Sequence, residues 1–135
     1  MDCELCKAIN ETDRIIFETE LSFCIIPKWP LKTGHVMVLP KRHVVDWSEL
    51  NKEEAKDLID LIDKMKFTLL KGFEEDCLIL NHAGKLRSQQ HLHAHIVPSK
   101  KAMRDFFLLT ENIPKYEDVP EKVMIEMCEH VKKLL

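Results

Sequence analysis

Polar and apolar residues alternate strictly between residues 91 and 96, within the stretch 90–98, and this alternation predicts a β-strand. The side-chain period of a strand is two, so alternate residues share a face. One face carries three histidines, His91, His93 and His95. The other face carries three apolar residues, Leu92, Ala94 and Ile96. A helix turns about 100° per residue and would scatter the same histidines around its circumference. We therefore expect a core-facing side and a side with a row of imidazoles, in a strand that ends at Pro98.

Four further apolar runs have the length of strands and are bounded by turn-forming residues. They cover residues 15–18, 21–26, 35–39 and 77–80. Thr19 and Glu20 are the predicted turn between the first two runs. Pro27 and Pro40 end the second and third runs, because proline interrupts a strand. These runs complete a predicted sheet of about five strands.

The segment 51–71 has the helical period. Asn51 followed by Glu54 predicts a capping box at its start, and Gly72 is the expected C-cap. The predicted apolar stripe consists of Ala55, Leu58, Ile62, Met65 and Leu69. A second helix is expected over residues 118–135, where Pro120 suits the first turn.

The composition is that of an ordinary globular protein of one domain. The chain has 135 residues, of which 45% are hydrophobic and 32% charged, and its net charge is −3. This charge argues against bulk electrostatic binding of nucleic acid or an anionic membrane. No apolar run approaches the roughly 20 residues of a membrane span. The first four residues lack the features of a signal peptide, and the five cysteines are an odd number. We therefore expect reduced thiols or metal ligands and a cytoplasmic protein, with a nuclear location as the alternative.

Three imidazoles in register on one face need a chemical explanation. Such a row suits a metal ligand, a nucleophile or a contact to phosphate oxygens. Near the N-terminus, Cys3-x-x-Cys6 has the spacing of two ligands of one Zn²⁺ ion. Taken alone, this pair is equally typical of a redox pair or of two unrelated thiols.

The pattern His91-x-His93-x-His95, with apolar residues between and after the histidines, resembles the histidine triad (HIT) family. The segment from Gly34 to His43, with its Pro-Lys-x-His corner, and Asn81 before the triad agree with that family. The resemblance implies an α+β fold with an antiparallel sheet of about five strands, one main helix and a C-terminal helix. It implies a single HIT domain over residues 1–135, with a core of about 3–99 and a helical extension of about 100–135. It also implies a homodimer.

The resemblance further implies a nucleotide hydrolase in which His93 attacks an α-phosphate. A nucleotidyl-histidine forms, and water then releases a nucleoside monophosphate from a phosphoramidate-type substrate. His95, Ser88 and Asn81 would act with His93 in catalysis. The nucleotide would contact Ile25, Ile26, Asn81, Gln89 and His95, with Phe23 beside the two isoleucines as a wall or as plain core. In one branch of the family zinc would be held by Cys3, Cys6, His43 and His91.

Two departures from the family bear on substrate choice. Arg87 stands where many members have glutamine. The acidic residue that commonly holds the ribose hydroxyls in the family would fall near Pro27, which cannot do that job. The alternatives are therefore a dinucleoside polyphosphate hydrolase, or a nucleotide-binding or scaffold protein with little turnover. The remaining histidines, His35, His82 and His130, are expected to be structural or to lie on the surface.

Overall fold

A computed structural model of the chain describes residues 2–113 and 118–135. Residue 1 and residues 114–117, which the predicted domain of 1–135 includes, lie outside the described part. The chain divides into two compact units, residues 1–100 and residues 101–135. No helix in the described ranges has the length and apolar character needed to cross a bilayer.

The first unit contains a five-stranded antiparallel sheet, which confirms the predicted α+β class. The strands are β1 (Ile15–Glu18), β2 (Ser22–Ile25), β3 (Val36–Pro40), β4 (Asp76–Leu80) and β5 (Ala94–Ser99). Their order across the sheet is β1-β2-β3-β5-β4. A short helix, α1 (Glu4–Lys7), precedes the sheet, and α2 (Lys52–Phe73) lies between β3 and β4 in the chain.

Apolar side chains cover both faces of the sheet because each central strand alternates between two cores. On one face, Val36 and Val38 pack against helix α2. The buried stripe of that helix is Leu58, Leu61, Met65 and Leu69. On the other face, Met37 and Leu39 pack against residues of α1 and the turn after it, such as Leu5 and Ala8.

Helix α2 begins as predicted and ends later than predicted. The Asn51 side chain accepts a hydrogen bond from the backbone N–H of Glu54, and the Glu54 carboxylate accepts one from the backbone N–H of Asn51. Gly72 is not the cap, because the helix continues to Phe73 and Glu74 takes the left-handed C-cap conformation. The predicted stripe leaves out Leu61, which is buried, whereas Ile62 is partly buried and packs against the same core. Ala55 is partly buried.

The triad strand is shorter at its start than predicted. It begins at Ala94, so His91 and His93 precede it, and the backbone N–H of Leu92 donates to the Val44 carbonyl instead of to a strand. The apolar half of the pattern is confirmed, because Leu92, Ala94 and Ile96 are all buried. Pro98 lies inside the strand and does not end it.

The described residues of the second unit form two helices. The first, α3 (Met103–Glu111), was not predicted from the sequence. The second, α4 (Glu121–Lys132), is shorter than the predicted helix of 118–135, and Pro120 occupies its N-cap position.

Candidate active site

A cavity of about 510 Å³ lies beside the sheet on the face that carries Met37. Four imidazoles line it: His35, His82, His93 and His95. Strand pairing explains why they meet, because His95 on β5 pairs with Met37 on β3 and with Leu80 on β4. Both of these neighbours also line the cavity. The third triad residue, His91, does not line it.

The surroundings of His93 fix which ring nitrogen is free. Its Nδ1 lies 2.6 Å from the carbonyl oxygen of His91, so Nδ1–H is the donor and the lone pair is on Nε2. The Asn81 side-chain amide donates to the carbonyl oxygen of His93 at 2.8 Å and holds this backbone in place. The pKa of His93 is lowered, first of all because burial disfavours the charged ring. A neutral imidazole with an unprotonated Nε2 is the nucleophilic form.

In His95 the proton is on the other ring nitrogen, Nε2, because His35 donates a hydrogen bond to Nδ1. The backbone N–H of Leu31 donates to His35 Nδ1 at 3.0 Å, so the proton of this ring is on Nε2. That Nε2 lies 2.9 Å from Nδ1 of His95 and donates to it. His95 therefore carries its own proton on Nε2. Burial, followed by the nearby His93, His35 and His82 rings, lowers the pKa of His95 to about 4.

Two of the histidines that were assigned to structure or surface belong to this cluster. His35 is buried and hydrogen-bonded to His95, and the exposed His82 ring has its centroid 5.7 Å from that of His95. The sequence signal for His35 is its position directly after Gly34 at the start of a strand, but its partner is 60 residues away. His130 lies exposed on helix α4.

Residues 87–89, which precede the triad, differ in whether they line the cavity. Ser88 and Gln89 both line it, as expected for groups that contact substrate. Arg87 is not part of the lining. Its Nη1 donates to the Val45 carbonyl at 2.6 Å and lies 3.2 Å from a carboxylate oxygen of Asp46. The arginine that replaces the family glutamine therefore holds this segment against residues 45–46.

The apolar walls of the cavity differ from those expected. Phe23 and Ile25 are fully buried in the core, and Ile26 is exposed outside the cavity. The apolar lining comes instead from α1 and the turn after it, from the loop that follows β2, from β3, and from β4 and the loop after it: Leu5, Ala8, Pro27, Trp29, Leu31, Met37, Leu80 and Leu86. Asn81 also lies outside the lining, and its side-chain amide contacts the backbone carbonyl of His93.

A separate cluster of metal-binding side chains consists of Cys3, Cys6, His43 and His91, whose ligand atoms all lie within 4.8 Å of one another. Nδ1 of His91 is 3.6 Å from the Cys3 sulfur and 3.4 Å from the Cys6 sulfur. Nδ1 of His43 is 3.2 Å from the Cys6 sulfur. The four residues are thus positioned to hold a metal ion.

The orientation of His91 favours a ligand role. Its Nε2 donates to the carbonyl oxygen of Pro40 at 2.9 Å, which leaves the Nδ1 lone pair directed at the two thiols. Metal-bound histidines commonly donate their second ring N–H to a carbonyl in this way. A tetrahedral zinc site with bonds of about 2.0–2.3 Å has ligand–ligand separations of about 3.3–3.8 Å. Three of the separations, at 3.2–3.6 Å, are close to these values, and all four ligand atoms lie within 4.8 Å of one another.

The corner after β3 connects this cluster to the cavity. His43 belongs to the cluster, and the following residues contact the segment that carries the triad. Trp47 Nε1 donates to Asn81 Oδ1 at 2.9 Å, and Asn81 in turn holds the carbonyl of His93. The corner that carries His43 is therefore connected to His93 through the side chains of Trp47 and Asn81.

Known proteins with similar sequences include nucleotide hydrolases. The chain is 38% identical over 90 residues to a bis(5'-adenosyl)-triphosphatase of Dictyostelium discoideum. The aligned region covers 64% of this chain and 60% of that protein. It is 25% identical to an uncharacterized HIT-like protein of Saccharolobus solfataricus, over 96% of this chain and 99% of that protein.

A solved structure of a HIT family protein from Bacillus subtilis superposes on this chain with a TM-score of 0.72 at 21% identity. The superposition covers 100% of this chain and 98% of the other, and it shows the shared fold. The family model for the HIT domain matches residues 9–102, which include β1 to β5 and the whole triad. The chain therefore belongs to the HIT domain family.

Proposed function

We propose that the protein hydrolyses a nucleotide at its α-phosphate through a covalent intermediate on His93 and releases a nucleoside monophosphate. The substrate class proposed first is a nucleoside phosphoramidate. The observation that carries this proposal is the contact of His93 Nδ1 with the His91 carbonyl, which leaves Nε2 unprotonated in a ring that lines the cavity. Family membership and the hydrolases among the relatives support it.

In the first step His93 Nε2 attacks phosphorus, a nitrogen–phosphorus bond forms, and the bond from phosphorus to the leaving group breaks. The leaving group takes a proton from solvent as it departs, and the Nε2–H of the neutral His95, on the cavity side, donates a hydrogen bond to it. In the second step water attacks phosphorus, the bond to His93 breaks, and the monophosphate leaves. The proton of the attacking water passes to solvent or to the imidazole.

Negative charge that develops on the phosphoryl oxygens requires hydrogen-bond donors. The Ser88 hydroxyl and the Gln89 amide line the cavity and supply them in this proposal. Asn81 is a positioning residue, because it contacts the His93 backbone and lies outside the lining. Arg87 keeps Ser88 and Gln89 in place through Val45 and Asp46.

We further propose that the metal held by Cys3, Cys6, His43 and His91 is zinc. Two thiolates and two imidazoles form the closed ligand set of a structural zinc site, without a position for a catalytic water. Zinc bound there would supply rigidity and not reaction chemistry. The homodimer that the sequence resemblance implies is also part of this proposal.

A second candidate is a dinucleoside polyphosphate hydrolase. The relative from Dictyostelium discoideum, whose name gives that activity, favours it. Both candidates share His93 as nucleophile and a nucleoside monophosphate as product, and they differ in the leaving group. A nucleotide-binding protein with little turnover is the third reading.

The deciding experiment is intact-protein mass spectrometry after a brief acid quench. With adenosine phosphoramidate, we expect wild-type protein to gain the mass of an adenylyl group, and His93→Ala to gain none. We expect kcat of His93→Ala to fall on the order of 10³-fold or more. His130→Ala, which alters an exposed histidine on α4, is the matched control and should form the adduct normally.

Each other outcome selects a different reading. An adduct that forms with diadenosine triphosphate and not with the phosphoramidate would favour the second candidate. Equal turnover by His93→Ala and wild type would remove the nucleophile assignment. AMP binding without adduct or product from either substrate would favour the binding protein.

A further inference from the structure

The cavity has an exposed apolar rim. Among the large apolar side chains of the described residues 2–100, the three most exposed all line this one cavity. They are Trp29 at 88%, Leu86 at 80% and Leu31 at 75% of full exposure. Single exposed apolar residues are normal, but a group of them around a concave site is typical of a surface that a ligand covers.

In addition to this exposed rim, the cavity has a buried apolar lining. Leu5, Ala8 and Met37 line the same cavity with at most 7% of their surface exposed. A flat apolar group bound in the cavity would contact this buried lining and could be covered by the rim. The indole of Trp29 is the largest flat surface in the lining that the structure describes.

The rim comes from two loops that also carry imidazoles of the cavity. Trp29 and Leu31 lie in the loop between β2 and β3, in which the backbone N–H of Leu31 donates to His35. Leu86 lies in the loop after β4, which also carries His82. A phosphate that reaches His93 leaves the rest of a nucleotide to extend along the remaining lining. The part of a nucleotide that has flat apolar faces is the base.

We propose that Trp29 stacks on the nucleobase of the bound nucleotide, while Leu31 and Leu86 cover the edges of the ring. This inference rests on the proposed function, and it names the recognition element of that site. Stacking on an aromatic side chain is tolerant of base identity, because every base has a π-face. All four nucleoside monophosphates should therefore bind, the larger purines more tightly than the pyrimidines.

The local sequence supports a stacking role for Trp29. Pro27 and Pro30 enclose the pair Lys28-Trp29, and each proline fixes its own φ near −65°. A restricted loop loses less conformational freedom when a ligand binds, so the indole is held in place at low entropic cost.

Trp29 can be observed directly because the chain has only two tryptophans. Replacement of the other one, Trp47→Phe, leaves Trp29 as the only indole fluorophore. We expect saturable quenching of its emission by AMP. Ribose 5-phosphate, which lacks a base, should bind without quenching. Calorimetric titration of the same variant measures AMP binding independently of the fluorescence.

Substitution of Trp29 gives the second measurement. We expect Trp29→Ala to raise the Kd for AMP about 5- to 100-fold and to leave the Kd for ribose 5-phosphate unchanged. Trp29→Phe should restore most of the affinity. Phe67→Ala is the matched control, because Phe67 is an exposed aromatic residue on α2 that does not line the cavity.

The outcomes separate the two proposals. If wild-type protein binds AMP but Trp29 emission and the Trp29→Ala affinity are unchanged, the stacking inference fails and the proposed function stands. If wild-type protein binds no nucleoside monophosphate and forms no adduct, both fail. If Trp29→Ala weakens AMP and ribose 5-phosphate equally, Trp29 shapes the cavity without contacting the base, and the inference is wrong.

Discussion

At the scale of single residues, the three triad histidines differ through the partner of one ring nitrogen. His91 donates from Nε2 to Pro40 and presents Nδ1 to two thiols. His93 donates from Nδ1 to a backbone carbonyl and keeps Nε2 free. His95 accepts on Nδ1 from His35 and keeps a proton on Nε2. One sequence pattern thus yields three imidazoles in three different hydrogen-bonding states, because the neighbours differ.

Gly34 is required by its conformation and by the space around it. Its φ is +91°, and an added Cβ would lie 2.8 Å from Cγ of Pro98 and 2.9 Å from Cζ of Phe73. We expect Gly34→Ala to lower the free energy of unfolding by roughly 1–3 kcal/mol. Since Gly34 precedes His35, kcat should fall as well. Urea denaturation followed by circular dichroism measures the first effect.

Gly72 provides the matched control for that substitution. It lies inside helix α2, and an added Cβ would have nothing within 4 Å. Gly72→Ala should stabilise the protein by roughly 0.5–1 kcal/mol, because alanine favours helix. If both variants lose the same stability, the space at Gly34 is not what selects glycine there.

At the scale of elements, local patterns predicted what local interactions determine. The capping box of α2 involves residues only three apart, and the first strand involves four consecutive residues, so the sequence showed both. The exact start of β5 depends on where β3 pairs, since β3 contacts only Ala94 to Ile96. Beyond that pairing β5 has β4 alone as its partner, and such an edge-like position tolerates Pro98.

The corner that carries His43 is held to helix α2 by an ion pair. Arg42 donates from Nε and Nη2 to the two carboxylate oxygens of Glu54, each at 2.7 Å. These bonds, followed by the backbone N–H of Asn51, lower the pKa of Glu54 from 4.5 to about 2. A lowered carboxyl pKa contributes stability that is complete above pH 4.5 and is lost as the pH falls towards 2.

We expect Glu54→Gln to lower the Tm at pH 7, and the difference from wild type to shrink as the pH falls from 4.5 towards 2. Half of the Arg42 side chain is exposed, so water screens the pair and a shift of about 2–5 °C is expected. Thermal unfolding at several pH values measures it. Glu53→Gln, at the exposed neighbouring position, controls for the loss of one charge. A Tm difference that stays constant with pH would contradict the ion-pair explanation.

At the scale of the whole molecule, the site depends on contacts between distant parts of the chain. Cys3 and His91 are 88 residues apart in sequence, and His35 and His95 are 60 apart. The hydrophobic periodicity of one segment gives no information about a contact with a residue so far away in the sequence. The metal cluster was expected because the resemblance to a family supplied its four residues together. The role of His35 was missed because it depends on the pairing of β3 with β5, which the sequence pattern does not specify.

The metal cluster joins the N-terminal segment, the corner after β3 and the triad, so its occupancy should affect the stability of the fold. Zinc at about 100 times its Kd stabilises the folded state by about 2.7 kcal/mol. For a chain of this size that corresponds to roughly 5–15 °C in Tm. We expect tag-free protein to contain about one zinc per chain by metal analysis, and a strong chelator to lower the Tm by that amount.

The variant with both Cys3→Ser and Cys6→Ser should melt at the lower temperature and should not respond to the chelator. Cys128→Ser changes an exposed thiol on α4 and should behave as wild type. Metal-free protein with an unchanged Tm would show that the four side chains hold the fold together without an ion. Because Trp47 and Asn81 connect the corner to His93, removal of zinc should also weaken AMP binding. This loss would then follow from the displacement of the nucleophile and not from a metal at the phosphate.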